Sequence, residues 1–275
     1  MQALMSRKKT VKSGSLAGAF QYIYMGLILL FLYAPIIVMA VLSFNDSKSR
    51  VTWEGFSLRW YSQLFQNDQI ISSFYTTVTV AVVASLVATV LGTMAAIGIN
   101  DMKRWKKAAV MEVSYLPVLS PDIVIGLSLM LLFVFLAVPL GFWTLLLSHI
   151  TFCTPYVILS VMPKLKQMNK HLYEVALDLG ATPMVALRKV ILPQLKPGII
   201  TGMILAFTMS LDDFVVSFFT SGSGVSNLSV TVYSMATKGV NPEINAISTL
   251  MFAAVLILLI VVNRRSKASG SGGLF

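Results

Sequence analysis

Apolar residues run through this chain in long uncharged stretches: residues 13–45, 69–100, 123–163 and 244–263 contain no Asp, Glu, Lys or Arg. Each meets or exceeds the ~20 residues that cross a bilayer as a helix. Six spans are expected, at about 18–43, 71–99, 108–138, 142–162, 198–220 and 244–263, with Pro139 and Gly141 turning the chain between the third and fourth. The first run carries Pro35 and is too long for a signal peptide, whose apolar region is ~7–15 residues. The pattern therefore predicts an all-α polytopic membrane protein. Its parts would be a basic N-terminus (1–17), a six-helix transmembrane domain (18–264) and a tail (265–275) whose Ser/Gly run at 269–273 reads as a flexible linker or expression scar.

Composition agrees with the pattern. Of 275 residues, 56% are hydrophobic and 12% charged, against about 25% charged in soluble domains, which excludes a soluble enzyme. The formal charge of +10 is explained by where the bases sit. Arg7, Lys8, Lys9 and Lys12 precede span 1, Lys103, Arg104, Lys106 and Lys107 follow span 2, and Lys164, Lys166, Lys170, Arg188, Lys189 and Lys196 separate spans 4 and 5. Arg264, Arg265 and Lys267 follow span 6, so only Lys48, Arg50, Arg59 and Lys238 fall on the other side. By the positive-inside rule both termini are cytoplasmic, and the positive charge serves topology and lipid headgroups rather than nucleic acid. The lone Cys153 gives neither a disulfide framework nor a metal pattern.

The connection between spans 4 and 5 (164–197) is about 35 residues, against a usual ~4–6, so it should carry structure of its own. From 170 to 179 the apolar positions Leu172, Val175, Ala176 and Leu179 have helical spacing, and Gly180 ends the run. Thr182 then offers an N-cap before Pro183, and a second short helix should reach about Val190 before Pro193 and Pro197 stop it. Two readings stand for this pair: an interfacial elbow under the spans, or a docking knob for a soluble partner.

Here the residues resemble a known pattern. Glu174-Val175-Ala176-Leu177-Asp178-Leu179-Gly180, nine residues, then Val190-Ile191-Leu192-Pro193 is similar to the EAA loop of ABC-importer permeases, with apolar departures at Val175 and Val190. Ser120-Pro121-Asp122-Ile123-Val124, Leu140-Gly141-Phe142-Trp143, the Ser148 to Cys153 segment and Ser210-Leu211-Asp212-Asp213 further resemble spermidine/putrescine permease subunits, the second of the two paired types. The resemblance implies the type I importer fold and a multi-pass position in the bacterial inner membrane. It also implies coupling through Glu174, Ala176, Gly180, Leu192 and Pro193. As partners it implies a second homologous permease, a cytoplasmic ATPase dimer and a periplasmic polyamine-binding protein. The chain has no G-x-x-x-x-G-K-[ST] phosphate cradle, so it is expected to be no enzyme and to hold no cofactor, with ATP and Mg on the partner ATPase.

The acids bear on the cargo independently. Asp46, Glu54, Asp68 and Glu243 fall outside the spans on one side and Asp101, Glu174 and Asp178 on the other, leaving Glu112, Asp122, Asp212 and Asp213 within or near spans that contain no base. A carboxylate at the bilayer centre costs ~2.5–3.5 kcal/mol on the insertion scale. Protonation, a helix N-terminus, water, a partner's base or a cationic ligand can offset it. On a regular helix Ser210, Asp213, Ser217 and Thr220 form one polar stripe facing a wet lumen, and Asp212 turns ~100° away, so one of the two acids is left for packing or capping. Asp122 follows Ser120-Pro121, a proline that with Pro117 should break or kink span 3, and it suits either a helix first turn or the pathway. Glu112 reads as interfacial, His149 as a buried histidine bonded to a hydroxyl, and Ser85, Thr89, Gly92 and Thr93 as small-residue packing. Trp53, Trp60, Tyr61 and Trp143 suit the outer interface, and Tyr233 the substrate's entrance. The substrate pathway is thus assigned to Asp212, Asp213, Asp122 and Tyr233. The alternatives are an ABC permease for another cationic solute such as a basic amino acid, or a proton-coupled carrier or membrane scaffold.

Overall fold

The structure, a computed structural model, describes residues 15–48, 52–169, 171–238 and 242–268. The basic residues Arg7 to Lys12, Arg50, Lys170 and the Ser/Gly run at 269–273 lie outside them. Among the described residues the chain is all-α, apart from one isolated antiparallel bridge between Asn45 and Phe56. Its helices are α1 (Ser15–Leu42), α2 (Arg59–Leu64), α3 (Asp68–Asn100), α4 (Arg104–Leu119), α5 (Asp122–Phe135), α6 (Phe142–Gln167), α7 (Leu172–Asp178) and α8 (Pro183–Ala186). A π-helical turn, Leu187–Ile191, leads into α9 (Leu192–Asp212), followed by α10 (Val215–Thr220), α11 (Leu228–Lys238) and α12 (Glu243–Ala268).

The core is a three-helix junction of α3, α6 and α9. Lipid tails are as apolar as leucine, so helices in a membrane associate by close packing rather than by hydrophobic exclusion. Accordingly α3 buries a small-residue face of Ala81, Ala84, Ala88, Gly92 and Ala96. A Cβ on Gly92 would lie 2.7 Å from Val157 of α6, and one on Gly202 of α9 would lie 3.1 Å from the same valine. Val157, fully buried, is the wedge on which all three helices meet. By contrast α1 leans on α12 and leaves much of its apolar surface open, with Phe20, Tyr22 and Phe31 each at least 70% exposed.

Two expected spans are broken. The third divides into α4 and α5, which meet at 105°. Ser120 is extended (ψ 144°) because a residue preceding proline is excluded from the α region. The fifth is corrected at both ends. Pro193 and Pro197 do not stop a helix, because Pro193 sits in the first turn of α9, where its missing N–H costs no bond. The π turn ahead of it closes with a bond from the Leu192 N–H to the Leu187 carbonyl. Helix therefore continues from Pro183 to Asp212. At the other end the expected continuous run to Thr220 is interrupted, Asp213 being extended (φ −65°, ψ 126°).

By length and composition four helices can cross a membrane, or five if the bent α4–α5 pair counts as one; the apolar part of α12 is shorter, Glu243–Ile257 among the described residues. One more expectation is corrected. Trp60 is not an interfacial residue but is buried (2% exposed), its indole N–H donating to the Asn45 carbonyl at 2.6 Å.

Candidate functional site

The break at Asp213 organises the site. With α9 ended, the first N–H groups of α10 have no helical acceptor, and the Asp213 carboxylate takes them. It accepts from Val216 N (3.2 Å), Ser217 N (2.7 Å) and Ser217 Oγ (2.7 Å). Ser217 in turn accepts from Asn227 Nδ2 at 2.7 Å, and the same amide donates to the Asp213 carbonyl at 2.7 Å. His149 of α6 completes the network, with Nδ1 2.6 Å from Ser210 Oγ and Nε2 3.0 Å from Ser217 Oγ. Since the Ser217 hydroxyl donates to Asp213, it accepts from the His149 Nε2–H, and Nδ1 then accepts from Ser210. The polar stripe expected to face a lumen is thus an internal bolt: Ser210, Ser217 and Thr220 are buried.

Asp212 differs from its neighbour. It is exposed, and among the described residues no side chain donates to it. As the last residue of α9 it stands beside carbonyl groups left free at a helix C-terminus, which already carry partial negative charge. Asp122, at the opposite pole, is exposed in the first turn of α5, so the two readings of that residue are compatible. Helices α5 and α10 lie so close that a Cβ on Gly126 would come within 3.2 Å of the Val216 Cα. This contact joins the two broken spans.

At their junction a cavity of about 290 Å³ is lined by Asp122, Asp212 and Asp213, together with Pro117, Phe152, Tyr156 and Phe214. Among the described residues no Lys or Arg lines it. Such a site favours a cation with an apolar body. Tyr233 is not in its wall, but its ring lies 4.8 Å from that of Phe214, which is. Glu112 is exposed on α4. Asn227 was missed in the sequence although an Asn directly before a helical run is a cap signal; its side-chain oxygen accepts from Val230 N at 2.9 Å.

The 164–197 segment lies at the basic end of the bundle. Helix α7 closes as a Schellman motif: Gly180 N donates to the Leu177 carbonyl (2.8 Å) and Ala181 N to the Ala176 carbonyl (3.0 Å), with Gly180 at φ +84°. Ala176 is buried, Leu192 half-buried and Pro193 exposed. Glu174 is exposed and paired with His171 Nδ1 at 3.0 Å. The expected apolar stripe is only partly covered by this chain, since Val175 is 50% and Leu179 83% exposed. A second cavity of about 710 Å³ separates Tyr173, Glu174 and Met184 from Asn100, Asp101 and Lys107.

The family profile of the binding-protein-dependent transport system inner membrane component matches residues 88–266. The spermidine/putrescine transport system permease protein PotC of Shigella flexneri is 40% identical over 252 residues, 91% of this chain and 96% of the relative. The putrescine transport system permease protein PotI of Escherichia coli (strain K12) is 42% identical over 238 residues, 83% of this chain and 84% of the relative. Among solved structures, a chain of a bacterial ABC transporter involved in import of the acidic polysaccharide alginate aligns with TM-score 0.71 at 19% identity, covering 92% of this chain and 95% of that one. A chain of the inward-facing MetNI methionine ABC transporter aligns with TM-score 0.59 at 18% identity, covering 72% and 95%. At such identities the two structures establish the fold alone.

Proposed function

This chain belongs to the binding-protein-dependent transport system inner membrane components, and on that premise we propose that it is a permease subunit of an ATP-driven importer carrying polyamines of the spermidine/putrescine class into the cytoplasm. It is a transport component and not an enzyme. The single observation that carries the choice of cargo is the cavity in which Asp122, Asp212 and Asp213 converge with no basic residue in its wall. Carboxylates held this way at membrane depth need a positive partner, and a flexible polyamine brings several ammonium groups on an apolar stem.

In the assembled transporter six spans cross the inner membrane, α12 being the sixth, with both termini in the cytoplasm. A second, homologous permease completes the lumen. A periplasmic polyamine-binding protein delivers cargo, and a cytoplasmic ATPase dimer, holding ATP and Mg, sits on the 164–197 segment. The exposed Val175 and Leu179 support that docking, with Glu174, Ala176, Gly180, Leu192 and Pro193 shaping the loop. Helix continues from Pro183 to Asp212, about 45 Å at 1.5 Å per residue, so the segment that meets the ATPase and the carboxylate that meets the cargo are two ends of one rod. Movement of the ATPase tilts the rod and turns the cavity from one side of the membrane to the other.

The test is uptake of radiolabelled spermidine and putrescine in transport-deficient cells expressing the chain with its partner subunits. Saturable uptake inhibited by unlabelled polyamine, and not by arginine or lysine, supports the reading. Uptake of a basic amino acid in place of polyamine overturns it.

A further inference from the structure

Beyond Phe214 and Phe218 from the acidic cavity lies a different one, of about 570 Å³, whose wall carries the hydroxyls of Ser72, Thr76, Ser226 and Ser234 and, among the described residues, no Asp, Glu, Lys or Arg. Between the two stands an aromatic cluster. Phe214 lines the acidic cavity and Phe218, one turn later, lines the hydroxyl cavity. Their ring centroids are 5.6 Å apart. Tyr233 of α11 touches both, at 4.8 Å from Phe214 and 6.2 Å from Phe218.

Phe218 is 50% and Tyr233 49% exposed, so this chain leaves part of each side chain uncovered. Aromatic rings at the boundary of a neutral polar cavity and an anionic one suit a particular task. A cation leaving the hydroxyls must shed water before it reaches the carboxylates, and a ring face offers attraction to a poorly hydrated organic ammonium. A small inorganic cation holds its water too tightly to gain by the same exchange.

We infer that Phe214, Phe218 and Tyr233 form an aromatic selectivity septum, through which alkyl-ammonium cargo passes from the hydroxyl-lined cavity to the acidic cavity. This rests on the acidic cavity being the transport route. It adds specificity-determining residues and a waiting site ahead of the carboxylates.

The experiment uses the assembled transporter in membranes and has two arms. In the first, Ser72→Cys reports the hydroxyl cavity and Ile125→Cys the acidic one, each reacted from outside with a membrane-impermeant cationic methanethiosulfonate. The parent chain, with Cys153 buried, gives the background. The septum predicts rapid labelling at Ser72→Cys and slow labelling at Ile125→Cys, the latter accelerated at least tenfold by adding Phe218→Ala, or Phe218→Leu if the alanine variant fails to assemble. Equal labelling rates at the two positions with the aromatics intact overturn the septum. This arm reads out whether or not the cargo is a polyamine, so its failure is distinguishable from failure of the functional reading. In the second arm, Phe218→Leu and Tyr233→Leu should each raise the KM for spermidine uptake at least fivefold with kcat within twofold, and Phe218→Tyr and Tyr233→Trp should restore it. A parallel fall in kcat with KM unchanged, unrescued by the aromatic variants, contradicts recognition by the rings.

Discussion

Two adjacent aspartates, Asp212 and Asp213, should fail in opposite ways when substituted. The Asp213 carboxylate accepts three hydrogen bonds from the first turn of α10. Loss of a helix cap costs about 0.5–2 kcal/mol, and a hydrogen bond to a charged group contributes about 1.5–3. Removing a charge from a poorly hydrated position offsets part of this, so Asp213→Ala should lower stability by about 1–3 kcal/mol. Asp213→Asn, which keeps an amide oxygen for capping, should lose less. Asp212 accepts no hydrogen bond from a side chain among the described residues and sits at a helix C-terminus, where an anion is disfavoured by about 0.3–1 kcal/mol, so Asp212→Asn should leave stability unchanged or slightly raised. Thermal unfolding of the purified complex in detergent, measured beside initial rates of polyamine uptake, separates the two. The midpoint should fall by several degrees for Asp213→Ala and hold for Asp212→Asn, whereas uptake should fall at least tenfold for Asp212→Asn at unchanged membrane abundance. If Asp212→Asn transports at the parental rate, or unfolds as early as Asp213→Ala, the division of labour derived from the helix break is wrong.

The remaining predictions concern coupling and packing. Leu179→Asp, on a side chain 83% exposed, should abolish co-purification of the ATPase while the membrane-embedded bundle keeps its thermal midpoint; retained ATPase at parental stoichiometry would remove the docking surface. Gly180→Val forces a branched side chain into φ +84° at about 1–2 kcal/mol, and should weaken ATPase association although open space surrounds the position. Gly92→Leu drives a side chain into Val157, where even a Cβ comes within 2.7 Å. Overpacking of about 1–3 kcal/mol or more should appear as reduced membrane yield, partly restored by Val157→Ala. Asn227→Ala removes the amide that holds both Ser217 and the Asp213 carbonyl, and should destabilise by about 1–3 kcal/mol; if the two act through one network the loss is clearly smaller in the Asp213→Ala background, a non-additivity that a double-mutant comparison reveals.

Much of the fold was legible because lipid imposes a coarse code: length of apolar run, placement of bases and punctuation by Gly and Pro. Gly180 ended its helix in the left-handed conformation expected of it, and the Ser120-Pro121 pair broke the third span. What periodicity could not reveal was the break at Asp213, where no proline or glycine marks the chain and the interruption is held by the Asp213 carboxylate on the next turn, by Asn227 beyond α10 and by the distant His149. Assuming a regular helix there put Asp212 and Asp213 on different faces, whereas the break lets both line one cavity and leaves Asp213 as the one held by hydrogen bonds. Pro193 misled for the complementary reason: a proline stops a helix only where its N–H is needed, and the π turn directly before it changed where it was needed; Pro197 is simply carried inside α9. Trp60 was placed at the interface by residue type, but its indole N–H finds a backbone carbonyl in the core.

The central claim is that Asp122 and Asp212 share a positively charged, linear guest. Cryo-electron microscopy of the complete transporter, trapped with ATPase-inactive partner and saturating spermidine, addresses it directly. Elongated density reaching from the Asp122 carboxylate towards that of Asp212, and lost in Asp212→Asn, is the predicted result. An amine bound elsewhere in the lumen, with this cavity holding only water, would contradict it.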